Sequence, residues 1–170
     1  TLVIDHSDNK AGAAPTWKKT FGLHPLLAFL DRPEIAGGEA LAGLLRAGNA
    51  GSNTASDHVI VLHQALASLP PRWRPDPDHP DHRQGPKVLV RSDTAGATHR
   101  FADACRAAGV GFSFGYPVDV RVQDAVDTLT LGDCWYPAID TDGGIRDGAW
   151  VAEATDLVNL ASWPTGTRLI

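Results

Sequence analysis

Lys87-Val88-Leu89-Val90-Arg91-Ser92-Asp93-Thr94-Ala95-Gly96-Ala97 is an apolar run that ends in an acid, with a helix start directly behind it. The chain opens on a second run of the same kind, Leu2-Val3-Ile4-Asp5. A strand that ends in a carboxylate delivers it to one edge of a sheet. Two such strands, far apart in sequence, can gather oxygen donors around one cation, and hard ions such as Mg²⁺ select oxygen. Asp5 and Asp93 are therefore the first candidates for chemistry.

Periodicity sets out the strands and helices around these two acids. After the polar stretch from His6 to Thr16, residues Phe21 to Leu30 are apolar, and Pro25 within them predicts a bulge or an edge position. A Pro/Gly-rich turn from Asp31 to Gly38 leads into apolar Ala40 to Leu45, so an antiparallel hairpin is the economical reading. Asn53 or Thr54 can cap a following helix, with Asp57 in its first turn. Val59, Leu62, Ala65 (or Leu66) and Leu69 keep helical spacing up to Pro70-Pro71. A proline-rich polar loop over residues 70–86 precedes the strand that ends at Asp93.

Phe101, Ala104, Cys105 and Ala108 then mark one face of a helix that ends at Gly109. Val110 to Tyr116 reads as a strand and Val118 to Leu129 as a short helix. Beyond Gly132, Asp-Gly turns separate short apolar pieces, which predicts a small antiparallel addition. Thr167 to Ile170 reads as one more strand. The expected class is α/β: a hairpin-first mixed sheet of ribonuclease H-like type, order near 3-2-1-4-5, with helices and a C-terminal antiparallel β extension. In that order strand one lies beside strand four, which brings Asp5 and Asp93 together. The expected division is a catalytic core over residues 1–132 and a β-rich extension over 133–170.

Composition narrows the classes. At 170 residues the chain has the length of one domain with a core of its own. Its net charge of −5 argues against a free-standing nucleic-acid binder, though not against one part of a nucleic-acid enzyme. Cys105 and Cys134 match no metal or redox spacing. No run of roughly 18 apolar residues suggests a membrane span, and no secretory leader is visible, so a cytoplasmic protein is expected. The strand-like starts at Thr1 and endings at Ile170 read as those of a longer polypeptide.

Three segments carry a resemblance. They are Ala13-Ala14-Pro15-Thr16-Trp17-Lys18-Lys19-Thr20-Phe21-Gly22-Leu23-His24-Pro25-Leu26-Leu27-Ala28-Phe29-Leu30-Asp31, then Leu44-Leu45-Arg46-Ala47-Gly48-Asn49-Ala50-Gly51-Ser52-Asn53-Thr54, then Val88 through Ala97. Gly148-Ala149-Trp150-Val151-Ala152-Glu153 adds a fourth. Together they resemble the catalytic domain of bacterial insertion-sequence transposases of the DDE class, transposase DDE domain group 1. The resemblance implies cutting and joining of DNA at transposon ends, with a two-metal site of Mg²⁺ or Mn²⁺ held by three carboxylates, in a bacterial protein that works as a homodimer when complete.

By that resemblance Asp93 matches the second acid. Asp5 is the candidate for the first and Asp8 the alternative, because the text between Ile4 and Asp8 is about eight residues shorter than the family pattern. The third acid, a glutamate on a later helix, is expected beyond Ile170, with Glu153 a poor substitute; the 170 residues alone are then expected to be inactive. Lys18, Lys19, Arg46, Arg91, Asn49 and Asn53 are the candidate DNA contacts, each weighed against an ordinary surface or turn role. His58 and His63 read as structural, and the Asp/His-rich stretch 76–83 as a solvated insertion. The rival readings are a non-catalytic transposase remnant, a hydrolytic nuclease of the same fold, and a haloacid-dehalogenase-like phosphatase, whose second Asp belongs two residues after the first rather than three.

Overall fold

The computed structural model describes residues 2–3, 13–16, 18–32, 36–76 and 87–170, in two compact units, Thr1–Gly115 and Tyr116–Ile170. The first unit is built on a hairpin of two twelve-residue strands, β3 (Phe21–Arg32) and β4 (Ala36–Ala47). They pair antiparallel from Leu23↔Ala47 to Arg32↔Ala36. Pro25 sits within regular pairing, opposite Leu45, and the irregularities fall later, at Ala28/Phe29 and Leu30/Asp31. The missing N–H is tolerated because β1 (Leu2–Val3) reaches along β3 only to Leu23, which leaves no described strand on the other side of Pro25. A further short strand, β2 (Ala14–Pro15), pairs with Phe21 and Gly22 in what the sequence presents as a polar stretch.

α1 (Ala55–Ser68) follows, and its C-terminal carbonyls receive the Arg74 guanidinium, which donates to Leu69 O at 2.9 Å and to Ala67 O at 2.6 Å. β5 (Leu89–Ser92), α2 (His99–Ala107) and β6 (Gly111–Phe114) form a parallel strand–helix–strand unit, in register from Leu89↔Gly111 to Ser92↔Phe114. Thr98 caps α2 by accepting from Phe101 N, and Gly109, at φ 69°, ends it. The core of this unit is Leu62 of α1, Phe101 and Cys105 of α2, and Val110, with Val88, Val90, Phe112 and Phe114 packed against it.

The neighbours expected for strands 3-2-1 are therefore present as β4-β3-β1, and those for strands 4-5 as β5-β6. Among the described residues no pairing joins β1 to β5, so the two parts stand as separate sheets.

The second unit holds α3 (Val120–Leu131) and a hairpin of β7 (Tyr136–Ile139) and β8 (Ile145–Val151). Asp119 caps α3, accepting from Arg121 N at 3.0 Å and Val122 N at 3.1 Å. The hairpin turn over Asp140–Gly144 uses Gly143 at φ 86°, as an Asp-Gly turn requires. Ala125, Leu129, Ala152 and Ala154 form its small core. The Thr167–Ile170 segment is not a strand; Ala154 N donates to Leu169 O at 2.9 Å, Leu169 N to Thr155 Oγ1 at 2.9 Å, and Thr167 N to Pro164 O at 3.0 Å. Among the described residues no helix is long and apolar enough to cross a membrane.

Candidate metal centre

β5 runs at its C-terminal end into Asp93. Val88 and Val90 face the core, so the strand is anchored by apolar burial while Arg91 is exposed. The backbone then turns into a short 3₁₀ segment, Thr94–Gly96, for which Asp93 is the N-cap. Asp93 Oδ1 accepts from Ala95 N at 3.0 Å. Gly96 N donates to Asp93 O at 3.2 Å, and Thr98 N to Gly96 O at 2.7 Å, so the turn runs without a break into the α2 cap. The Asp93 side chain is exposed, and among the described residues its second oxygen meets no donor.

This is a carboxylate with one oxygen fixed by the backbone and the other presented outward. Its donor type fits a hard divalent cation, which takes one or two protein carboxylates and keeps several waters. Among the described residues no three His, Cys, Asp or Glu side chains gather into a group that could hold a metal. Asp5 and Asp8, the candidates for the first ligand, lie outside the described residues.

Glu153, just after β8, is occupied elsewhere. Arg168 donates to it through Nε at 2.8 Å and also through Nη2, and Thr155 Oγ1 donates to its other oxygen. These bonds, Arg168 first, hold its carboxyl below the usual glutamate range.

The expected DNA contacts fall into different environments. Lys18 and Lys19 are exposed in the turn between β2 and β3, where Lys19 adopts φ 59°. Arg91 is exposed and pairs with Asp31 at 3.0 Å. Asn49 and Asn53 are exposed on the loop from Gly48 to Thr54. Arg46 is only 7 % exposed. Its Nε donates to His24 O at 3.1 Å, and its Nη1 donates to Gly51 O at 2.9 Å and to Asp57 Oδ2 at 3.2 Å. Because His24 and Arg46 are register partners, both lie on the sheet face toward α1. His24 Nδ1 donates to Ala50 O at 3.0 Å, fastening the same loop from a second point.

Gly48 fastens it from a third: a Cβ there would lie 2.5 Å from Gly22 O and 2.8 Å from Ala14 O. Strand alternation could have placed Arg46 indoors with Leu44, but adjacent Leu44 and Leu45 give no sign of which parity is buried. His58 is buried, donates from Nδ1 to Thr54 O at 3.0 Å, and stands 5.1 Å from the Phe101 ring, in keeping with a structural part. His63 is exposed and, with Leu66, Arg74, Pro75, Ala104 and Ala108, borders an open hollow of about 590 Å³ between α1 and α2. Asp93 does not line it.

With this geometry in view, comparison with known families gives one match. The family model described as transposase DDE domain group 1 covers residues 1–170. The chain belongs to this family of DDE-class transposases. Neither the curated proteins nor the solved structures include a significant match to it. Membership makes transposition the function and DNA the partner of this transposase domain, and its class works with divalent metal ions.

Proposed function

We propose that the chain contributes to metal-dependent cleavage and strand transfer at transposon ends, with Asp93 as one ligand of a Mg²⁺ or Mn²⁺ site. Asp5 supplies the first carboxylate, or Asp8 in its place. The observation that carries this reading is the exposed Asp93 carboxylate at the C-terminal end of β5, with Oδ1 fixed by the Ala95 amide. Divalent ions bound there would supply Lewis-acid stabilisation of the phosphodiester oxygens and a nucleophile at neutral pH.

The chain's own part is to hold the ligand still and to bring DNA to it. Lys18, Lys19 and Arg91 supply phosphate contacts, with Arg91 first leaving Asp31, an exposed pair of small energy. Asn49 and Asn53 meet the sugar–phosphate backbone from the loop that Arg46 fastens, so Arg46 acts from inside the protein. Residues 1–132 are the ribonuclease H-like core, in the order 3-2-1-4-5 once β1 joins β5, and 133–170 are a β-rich extension. The complete enzyme works as a homodimer in the bacterial cytoplasm. The 170 residues alone do not carry out strand transfer, because the family chemistry needs a third acid and Glu153 is bound to Arg168.

Calorimetric titration with Mn²⁺ tests this reading. Asp93→Asn is expected to weaken binding at least tenfold, and whichever of Asp5→Asn and Asp8→Asn does likewise identifies the first ligand. Wild-type affinity in the Asp93→Asn protein would refute the assignment.

A further inference from the structure

Gly115 follows β6 and lies beside the turn that carries Asp93. Its N–H donates to Ser92 O at 2.9 Å, extending the parallel ladder one step past the last paired residues, Ser92 and Phe114. A Cβ built on Gly115 would stand 3.1 Å from Thr94 N, 3.3 Å from Asp93 C and 3.5 Å from Asp93 Cα. All three atoms are backbone, so no side-chain rotation relieves the contact. The residue before Gly115 is fixed as well, because the Phe114 ring stacks on Phe101 at 5.0 Å and 8° and contacts Phe112 at 5.0 Å. The end of β6 therefore has a firm footing, and relief must come from the Asp93–Thr94 peptide.

The same turn is tight on another side. A Cβ on Gly96 would fall 2.3 Å from Ser92 Oγ and 2.6 Å from Ser92 Cβ. Asp93 thus lies between two tight positions: Gly96 in its own turn, where no Cβ fits without a shift of Ser92, and Gly115 just past the neighbouring strand, where a Cβ fits only if the facing peptide gives way. The direction of its carboxylate depends on a single bond, Ala95 N to Oδ1.

We infer that Gly115 is a positioning residue for Asp93: its missing side chain lets β6 close against the Asp93–Thr94 peptide and sets the direction of the outward carboxylate oxygen. This rests on the reading of Asp93 as a metal ligand. Mg²⁺ requires near-ideal octahedral geometry, and a site is held only when its ligands stay within about 0.5 Å of the productive arrangement. A methyl group at 115 moves the peptide by a few tenths of an ångström, a large part of that tolerance. Gly111, at the other end of β6, provides a control. A Cβ there would meet Leu89 Cδ1 at 3.4 Å and Val88 O at 3.7 Å, ordinary contacts remote from Asp93.

The test compares wild type, Asp93→Asn, Gly115→Ala and Gly111→Ala as ¹⁵N-labelled protein, by Mn²⁺ broadening of amide signals and by amide exchange at Ala95. Asn keeps an oxygen for the Ala95 N–H, so Asp93→Asn removes the charge without freeing the turn. For Gly115→Ala the Mn²⁺ concentration that half-broadens Thr94 and Ala95 is expected to rise roughly tenfold, the scale of losing a supporting partner of a metal ligand. Exchange at Ala95 is expected to quicken, while Phe101 and Cys105 amides stay as in wild type. Gly111→Ala should remain within about twofold of wild type on both readouts.

If Asp93→Asn abolishes broadening while Gly115→Ala matches wild type in broadening and in Ala95 exchange, the positioning role is overturned and the ligand assignment survives. If wild type shows no broadening near Asp93, or Asp93→Asn leaves it intact, the ligand assignment falls, and Ala95 exchange in Gly115→Ala still decides the positioning claim. Should Gly115→Ala not fold, wild type decides: unprotected exchange at Ala95 would mean that the carboxylate is not held.

Discussion

Arg46 and Cys105 show how much of this domain rests on single buried groups. From β4, the Arg46 guanidinium ties down β3, the Gly48–Thr54 loop and α1 through three partners, in a site that leaves Asp57 only 22 % exposed. Arg46→Ala strands the Asp57 carboxylate and two carbonyls together, and is expected to cost about 3 kcal/mol, read by chemical denaturation. Arg46→Lys should recover less than half of that, since one ammonium cannot reproduce the planar fork. Cys105 is buried among Leu62, Phe101 and Val110, and burial pushes its thiol up to about 11 from an ordinary 9.0, against a weaker pull from Arg106. The folded chain therefore holds this proton more tightly than the unfolded chain does. Its stabilisation is whole below pH 9 and is lost as the pH rises through 11, on the order of 2 kcal/mol. Denaturation across that range should show a steeper decline for wild type than for Cys105→Ala; parallel curves would contradict the assignment. The exposed Cys134 thiol should react with iodoacetamide in the native state while Cys105 does not.

At the scale of elements, the β3–β4 hairpin depends on Gly48 and the α2 cap on Thr98. Gly48→Ala would drive a methyl into two backbone carbonyls that belong to β2 and β3, and about 2–3 kcal/mol of destabilisation is expected. Thr98→Ala removes one bond to Phe101 N, for about 1 kcal/mol. A thermal melt that ranked the two the other way would contradict this account of the hairpin. Much of this level was legible in the sequence. The α2 stripe of Phe101, Ala104 and Cys105, the stop at Gly109 and the Asp-Gly hairpin turn are local signals, and local signals survive folding. What escaped reading depends on distant partners. Ala14–Pro15 becomes a strand only because Gly22 lies opposite, and the bulges beyond Ala28 follow from the register of β4. The strand-like Leu169 makes a single ladder bond because one segment, at Ala154, is its only backbone partner among the described residues.

For the molecule as a whole, the place of Asp93 at a strand end, in the proposed site, was legible, since an apolar strand ending in an acid before a helix start is a pattern within eleven residues. Gly115 was not legible, because nothing in Phe114-Gly115-Tyr116 says which strand end it will face. The burial of Arg46 was not legible for a similar reason: its carboxylate partner Asp57 lies eleven residues on, across a tight loop. With a net charge of −5, binding of generic duplex DNA should be weak at physiological salt and recover only as salt is lowered. Family membership supports a transposition function, and Asp93 at the end of β5 is the acid proposed to serve it. The most direct test is a crystal structure of the protein grown with Mn²⁺ and read by anomalous scattering. The account predicts a peak about 2.1 Å from the outward oxygen of Asp93, with Asp5 or Asp8 as a second carboxylate ligand. A bare Asp93 at saturating Mn²⁺, or residues 5 and 8 both remote from it, would contradict the account.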